Sequence, residues 1–517
     1  MSLLNQSINK SYFYSLIIYT FVCFSILLNS FLTSDGFLGP DSTNYLALAQ
    51  NLINNGTYYL NYNGKENEWF AVWPAGYPTM IFIIAKITGV SVFLSSKILN
   101  LLIIGIIFII FNYKFKESGY IFSSMFLFVP FLQVFSYTCS EVPFLLGMFL
   151  LSLSLYSYLQ SQKINYLMLF IVTLSAIFLF LNRYIGAFSV GVIGLAFIYL
   201  LYIRSFQKAF LLIGPILTVI TVAIFYLYNN YLLTGFHTGT ERIPAPESIL
   251  SLMKMTIKAF LVEFNLVTYN ITFMLSNLVG KYFGFGIFLL VLFLQYYIFY
   301  YIFKKYSCPN NSLKLKDISQ WKICLIIGLL YYAAIVYMRW TIHFDALGYR
   351  LLIPGTFLIL ISFILFSKKY LNSTGFNKFK ITFIILAIVS YSIFTFKPYV
   401  KPLLLGSEIK TYKNFVLKLH EATSAIPVGS VIVMGDNHLT YLRPDLIKVA
   451  PKSDQIYLKN TESWDDFVYR VHKTYPNKNI YLYIKKLNEM DMVTDRFHST
   501  VVKVIKENQD RKIMKLQ

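Results

Sequence analysis

Long apolar runs separated by short polar breaks fill the first four fifths of the chain. A hydrocarbon core about 30 Å thick requires roughly 20 apolar residues per helix. Such runs lie near residues 12–33, 92–113, 119–138, 142–160, 166–182, 184–204, 207–230, 282–303, 318–338, 351–367 and 379–397. These eleven segments predict an α-helical polytopic membrane protein. Residues 74–91, PAGYPTMIFIIAKITGVS, are apolar too. Counting them as another crossing would turn every later loop over, so they read as a re-entrant or interfacial piece, or as an extension of the second helix.

From Leu403 the pattern changes: charges return and apolar runs shorten to strand length. SEIKTYKNFVLKLHEA predicts an amphipathic helix, GSVIVMG a buried strand, ESWDDFVYRVHKTY a second helix and KNIYLYIKKL another strand. The sequence therefore divides into a membrane part, residues 1–400, and a small soluble α/β domain, residues 401–517. No repeat, GxGxxG after a strand or GxxxxGKS/T loop interrupts this reading.

Charge sets the topology. Lys plus Arg is 45 against 24 Asp plus Glu, a formal +21, and only 13% of residues are charged while 56% are hydrophobic. That balance excludes an ordinary soluble enzyme, and 48 Phe with 41 Tyr exclude disorder. Cytoplasmic loops collect Lys and Arg. With Lys10 inside, alternate loops carry Lys114 and Lys116, Lys163, Arg204 and Lys208, Lys304, Lys305, Lys314 and Lys316, then Lys368, Lys369, Lys378 and Lys380. The surplus thus reflects topology, and no nucleic acid is implied. Loops 34–91, 139–141, 231–281 and 339–350 then face outward, as does the C-terminal domain, which places the chain in the cytoplasmic (inner) membrane with a cytoplasmic N-terminus. Cys23, Cys139, Cys308 and Cys324 are scattered, without zinc or disulfide spacing.

In so lightly charged a chain, ionisable groups at the outer helix ends carry the chemistry, since placing each in the bilayer costs about 2.5–3.5 kcal/mol. Asp41 opens a helical stretch whose Tyr45, Leu48, Ala49 and Leu52 share one face and which ends at Asn55-Gly56. Taken alone, Asp41 is equally an N-cap, Glu141 a solvated turn carboxylate, and Arg183 a snorkelling side chain. A fourth group, Arg339, His343, Asp345 and Arg350, lies in one outer loop. Together these loops bring carboxylates and guanidiniums to one membrane face. Arginine grips phosphate bidentately, and a carboxylate takes a proton from an attacking hydroxyl. A head-group transfer from a lipid phosphate follows.

The ordered motifs GPDSTNYLALAQNL, WPAGYP, SEVPFL and YRLLIP resemble those of bacterial GT-C glycosyltransferases, in particular the relatives of the protein O-mannosyltransferases and of the lipid A aminoarabinose transferase. The resemblance implies a GT-C-like catalytic domain with Asp41 as general base and Glu141 as the second catalytic acidic residue, orienting the acceptor or assisting a cation. It implies Arg350 and Tyr349, and secondarily Arg183, as contacts to the lipid phosphate, with Tyr45 against the sugar. The implied donor is a polyprenyl-phosphate sugar, transferred with inversion to a lipid, glycan or protein acceptor. This chain has Asp41-Ser42 where the mannosyltransferases often carry Asp-Glu. Two carboxylates could hold Mg or Mn, although no fixed ligand spacing assigns a metal. A transporter or lipid flippase shares the span count, and a polysaccharide polymerase or ligase shares the lipid-linked donor. The amphipathic SILSLMKMTIKAFLVEF stretch suits a movable cover over the site.

Overall fold

The computed structural model describes residues 2–62, 65–267, 281–308, 318–344, 347–405, 411–433, 436–449, 464–484, 501–508 and 511–516. Among these, nine helices are long and apolar enough to cross a membrane. Every one of the eleven apolar runs is helical, but two, 119–138 and 166–182, make no candidate span of their own. Near 119–138 the path is broken: Gly119–Ser124 and Val129–Ser136 are separate helices joined through a 3-10 turn at Met125–Leu127. Pro130, which lacks an N–H, starts the second piece, and the Val129 N–H is taken by Ser390 Oγ at 2.8 Å. Lys116, at φ 49°, begins the reversal that brings this arm back along Val92–Phe115. The Tyr166–Asn182 helix has 17 residues, the lower limit for a span.

Residues 74–91 form the Gly76–Thr88 helix. Its 13 residues rise only about 20 Å at 1.5 Å each, too little for a crossing. Close packing fixes it: a Cβ on Gly76 would lie 2.5 Å from Leu181 O. Its Tyr77 hydroxyl donates to Asn100 Oδ1 at 3.1 Å, and Asn100 Nδ2 donates in turn to the carbonyls of Phe135 and Tyr137. A buried amide thus satisfies the backbone end of the broken arm just ahead of Glu141.

The first outer loop is ordered by its own chemistry. Pro40 occupies the first turn of the Pro40–Asn55 helix, where its missing N–H costs nothing, and Ser42 Oγ accepts from Gly39 N–H at 3.0 Å. The helix stops at Gly56, φ 66°. An antiparallel hairpin follows, β1 (Tyr59–Tyr62) and β2 (Lys65–Trp69). The expected amphipathic helix in the 231–281 loop is Ile249–Glu263.

The C-terminal residues fold around a five-stranded sheet of order β4-β3-β5-β7-β6. Its strands are β3 (Val431–Val433), β4 (Ile447–Val449), β5 (Ile480–Ile484), β6 (Val501–Asn508) and β7 (Arg511–Leu516). β3 runs parallel to β4 and β5, while β7 is antiparallel to β5 and β6. Helices Tyr412–Thr423 and Trp464–Thr474 match the two predicted ones. This unit grips the first outer loop and the start of the Val92–Phe115 helix that follows it. Tyr412 stacks on Phe93 with ring centres 4.3 Å apart, and Gly36, at φ 61°, leaves room for the Tyr412 ring. The His438 ring bridges Asp436 Oδ1 at 2.7 Å and Asp35 O at 3.2 Å.

Candidate active site

Three helices begin at one place. Asp41 lies in the first turn of Pro40–Asn55, Glu141 is the first residue of Glu141–Gln160, and Arg350 is the second of Tyr349–Tyr370. Helix N-termini carry partial positive charge, so the two carboxylates sit where the backbone favours them. Arg350 sits where it does not. Its compensation is direct: Nη2 donates to Asp41 Oδ2 at 2.9 Å, and Nε lies 3.2 Å from Glu141 Oε1. Arg183 pairs with the same Glu141 oxygen. The result is an alternating row, Asp41–Arg350–Glu141–Arg183.

Arg183 reaches this row because the helix before it ends there. Residue 183 has extended backbone, the chain turns sharply through Tyr184–Ala187, and a Cβ on Gly186 would lie 2.3 Å from Leu179 C. Only glycine permits that approach. Tyr184 then donates to Ala71 O at 2.7 Å and accepts from Asn230 Nδ2 at 2.9 Å. Asn230 Oδ1 accepts from Trp69 Nε1 at 3.1 Å. The first loop, the Arg183 turn and the Ile213–Thr234 helix are thereby locked to one another.

The plain readings of the three charged residues are corrected by this geometry. Asp41 is not the N-cap, because Gly39 is; the carboxylate is turned to Arg350 instead. Glu141 is no solvated turn residue, with its side chain only 2% exposed. Arg183 is drawn inward by Glu141 rather than outward to the interface.

A cavity of about 170 Å³ opens on the row. Asp41, Tyr45, Arg183 and Arg350 line it, whereas Glu141 lies behind the two guanidiniums. Tyr45 is almost fully buried; its hydroxyl donates to Ser140 Oγ at 3.1 Å and its ring meets Tyr77 edge-on, at 5.3 Å and 90°. The Tyr349 side chain and Asp345 lie outside the described residues. Arg339 and His343 are directed to Glu247, away from the row.

The cavity contains residues that the sequence reading passed over. Arg242 and Trp73 form part of its wall, the guanidinium 5.7 Å from the indole centre, with Arg242 Nε donating to Thr238 Oγ1 at 3.1 Å. Among the described residues, three guanidiniums therefore face one space with a single lining carboxylate, Asp41. That donor set suits an anion. It suits Mg or Mn poorly, since both carboxylates are held by arginines, and no group of three or more His, Cys, Asp or Glu gathers among the described residues.

The chain shares its overall fold with membrane proteins of solved structure. The solved structures it is similar to include the ArnT of Cupriavidus metallidurans bound to undecaprenyl phosphate, with TM-score 0.56, 10% identity and 97% of each chain covered. The apo form of that protein matches at 11% identity with the same TM-score and coverage. An oligosaccharyltransferase of Archaeoglobus fulgidus tethered to an acceptor peptide matches at TM-score 0.47 and 12% identity, over 93% of this chain and 70% of that one. No sequence-family model matches the chain, and no curated protein sequence matches it significantly.

Proposed function

We propose that this protein is an inverting glycosyltransferase that moves a sugar from a polyprenyl-phosphate donor to a lipid, glycan or protein acceptor at the outer face of the cytoplasmic membrane. The observation that carries the reading is the cavity in which Arg350, Arg183 and Arg242 surround Asp41. The fold supports it, because the similar ArnT structure is bound to undecaprenyl phosphate. The positive-inside pattern supports an outer position for the cavity and the C-terminal unit and a cytoplasmic N-terminus.

The chemistry follows from charge. The acceptor hydroxyl oxygen attacks the anomeric carbon from the face opposite the phosphate, and its proton passes to the Asp41 carboxylate. As the bond between that carbon and the phosphate oxygen breaks, the electron pair leaves on the polyprenyl phosphate. The guanidiniums of Arg350 and Arg183, held beside the cavity by Glu141, take up that charge. Three converging helix N-termini add to the same field. Tyr45 and Trp73 offer flat apolar surfaces to the sugar ring. Glu141 acts through the arginines and is a positioning residue.

A transporter or flippase would place its ionisable groups near the bilayer midplane, in broken helices. Here the row sits at helix starts. A polysaccharide polymerase or ligase differs only in the acceptor. The test is direct: purified protein in lipid nanodiscs, given polyprenyl-phosphate hexoses and pentoses with envelope glycolipids, releases polyprenyl phosphate and forms a glycosylated product. Absence of release with every donor, from folded protein, would refute the reading.

A further inference from the structure

A second cavity, of about 310 Å³, lies between the end of the Pro40–Asn55 helix, the β1–β2 hairpin and the C-terminal unit. Its lining is rich in one side chain: Asn51, Asn54, Asn55, Asn61 and Asn67 all contribute, beside Tyr59. A primary amide offers N–H donors and a carbonyl acceptor without charge. Sugar hydroxyls, which both donate and accept, are its natural complement.

Part of the set builds the frame. Asn51 Nδ2 donates to Tyr59 O at 2.6 Å, Asn61 Nδ2 donates to Pro444 O at 3.0 Å, and Asn67 N–H donates to Asn61 Oδ1 at 3.0 Å. The cavity is thus held open across the join between the membrane part and the outer unit. Asn54 and Asn55 stand exposed at its rim. The two cations of the lining are both engaged: Asp445 and the carbonyls of Thr423 and Ile426 hold the Arg443 guanidinium, and Lys448 Nζ donates to Asn437 Oδ1. The chemistry selects a neutral, hydroxyl-rich occupant over a phosphate or an acidic peptide.

Position connects this cavity to the reaction site. Asp41, Asn44, Asn51 and Asn55 follow one another at intervals of three, seven and four residues, which places them on one face of a single helix. Asp41 lines the first cavity, and Asn51 and Asn55 line the second. At 1.5 Å per residue the two are roughly 15–20 Å apart, a distance that linked sugar units can bridge.

We propose that the asparagine-lined cavity is a saccharide subsite that binds an oligosaccharide acceptor several units from the hydroxyl that reacts at Asp41. The assignment rests on the transferase reading and narrows it: the acceptor is a glycan chain, and specificity for it resides at the junction with the C-terminal unit.

The test uses the full-length protein in nanodiscs, with Asp41→Asn as background so that nothing is consumed. The probe is the neutral oligosaccharide pool released by mild acid from the cell's own envelope glycolipids, and the readout is saturation-transfer NMR. Wild-type rim residues give saccharide signals. Asn55→Leu, at an exposed helix end, and Thr440→Trp, which fills the cavity, each weaken binding about tenfold, the effect of one or two lost hydrogen bonds, at an unchanged unfolding temperature. No signal from folded protein overturns the subsite, as does an undiminished signal in both folded variants or displacement of the pool by a peptide digest of envelope proteins. Failure here leaves polyprenyl-phosphate turnover intact. Failure of the transferase reading instead shows as no turnover with wild-type Asp41 while the saccharide signal persists.

Discussion

Arg350 Nη2 donates to Asp41 Oδ2 at 2.9 Å across 309 residues of sequence. The contact joins the start of the first-loop helix to the start of a helix near the end of the membrane part, and the proposed base and the proposed phosphate ligand meet in it.

Asp41→Asn keeps an oxygen acceptor for Arg350 but removes the base. Turnover, measured as release of polyprenyl phosphate, is expected to fall about 10²–10⁴-fold, the usual worth of general-base catalysis. Thermal unfolding and donor binding stay close to wild type. Wild-type turnover in the variant would take Asp41 out of the reaction.

Arg350→Ala removes the group shared by both carboxylates. Polyprenyl phosphate should raise the unfolding temperature of the wild-type protein through binding to the folded state, and that shift should disappear in the variant. Arg350→Lys should recover part of it, since lysine restores the charge without the planar fork. An undiminished shift in the alanine variant would exclude Arg350 from phosphate binding.

Glu141→Ala leaves the half-buried Arg183 and Arg350 around a missing carboxylate, with Arg350 still paired to Asp41. Breaking a fully buried pair costs about 3–5 kcal/mol; the loss here should be smaller, and thermal or denaturant unfolding would register it. Because Glu141 lies behind the arginines, Glu141→Gln should lower kcat by misplacing them while the pH dependence of turnover stays that of Asp41. A shifted pH profile would instead mean that Glu141 exchanges protons with substrate.

Glu263, at the end of the Ile249–Glu263 helix, is fully buried; Thr356 donates to one carboxyl oxygen, and the other has no hydrogen-bond partner among the described residues. Burial pushes its pKa up from 4.5 to about 8. The sign follows: below the lower value the carboxyl is neutral in both states and its contribution is complete. As pH climbs toward the upper value the unfolded chain ionises first, so stability declines. In Glu263→Gln that part of the decline should be absent. Identical pH–stability curves would show that Glu263 does not titrate in this window.

Because arginines hold both carboxylates of the row, chelation should not affect the reaction. Turnover in excess EDTA equal to that in Mg or Mn is expected, and a requirement for added metal would contradict the anion-binding role proposed for the cavity.

Much of this arrangement was legible because the chain uses charge so sparingly. Asp41, Glu141, Arg183 and Arg350 stood out against apolar helices, and Gly39-Pro40 and Asn55-Gly56 bracketed a helix that the structure contains. Arg242 and Trp73 were missed for want of a motif. Arg242 lies mid-loop in TGTERIPAPES, between the Ile213–Thr234 and Ile249–Glu263 helices, so the rule of charges at outer helix ends does not reach it. The break near 119–138 was hidden because Phe, Leu and Val are equally apolar in a straight helix and a broken one, and only Pro130 hinted at it. β4 is too short to show an alternation, and the β6–β7 hairpin carries lysines along its length. The burial of Glu141 depends on partners 42 and 209 positions away in the numbering, which local pattern does not reveal.

The Asp41–Arg350 pair has one more consequence. The Arg350 guanidinium occupies an oxygen of the Asp41 carboxylate. In the proposed reaction an incoming phosphate would compete for Arg350 and, by drawing that guanidinium away, would free the base at the moment a sugar is ready to be moved. Such an interlock would protect the activated lipid from idle hydrolysis, because water entering alone finds no awakened carboxylate to serve it.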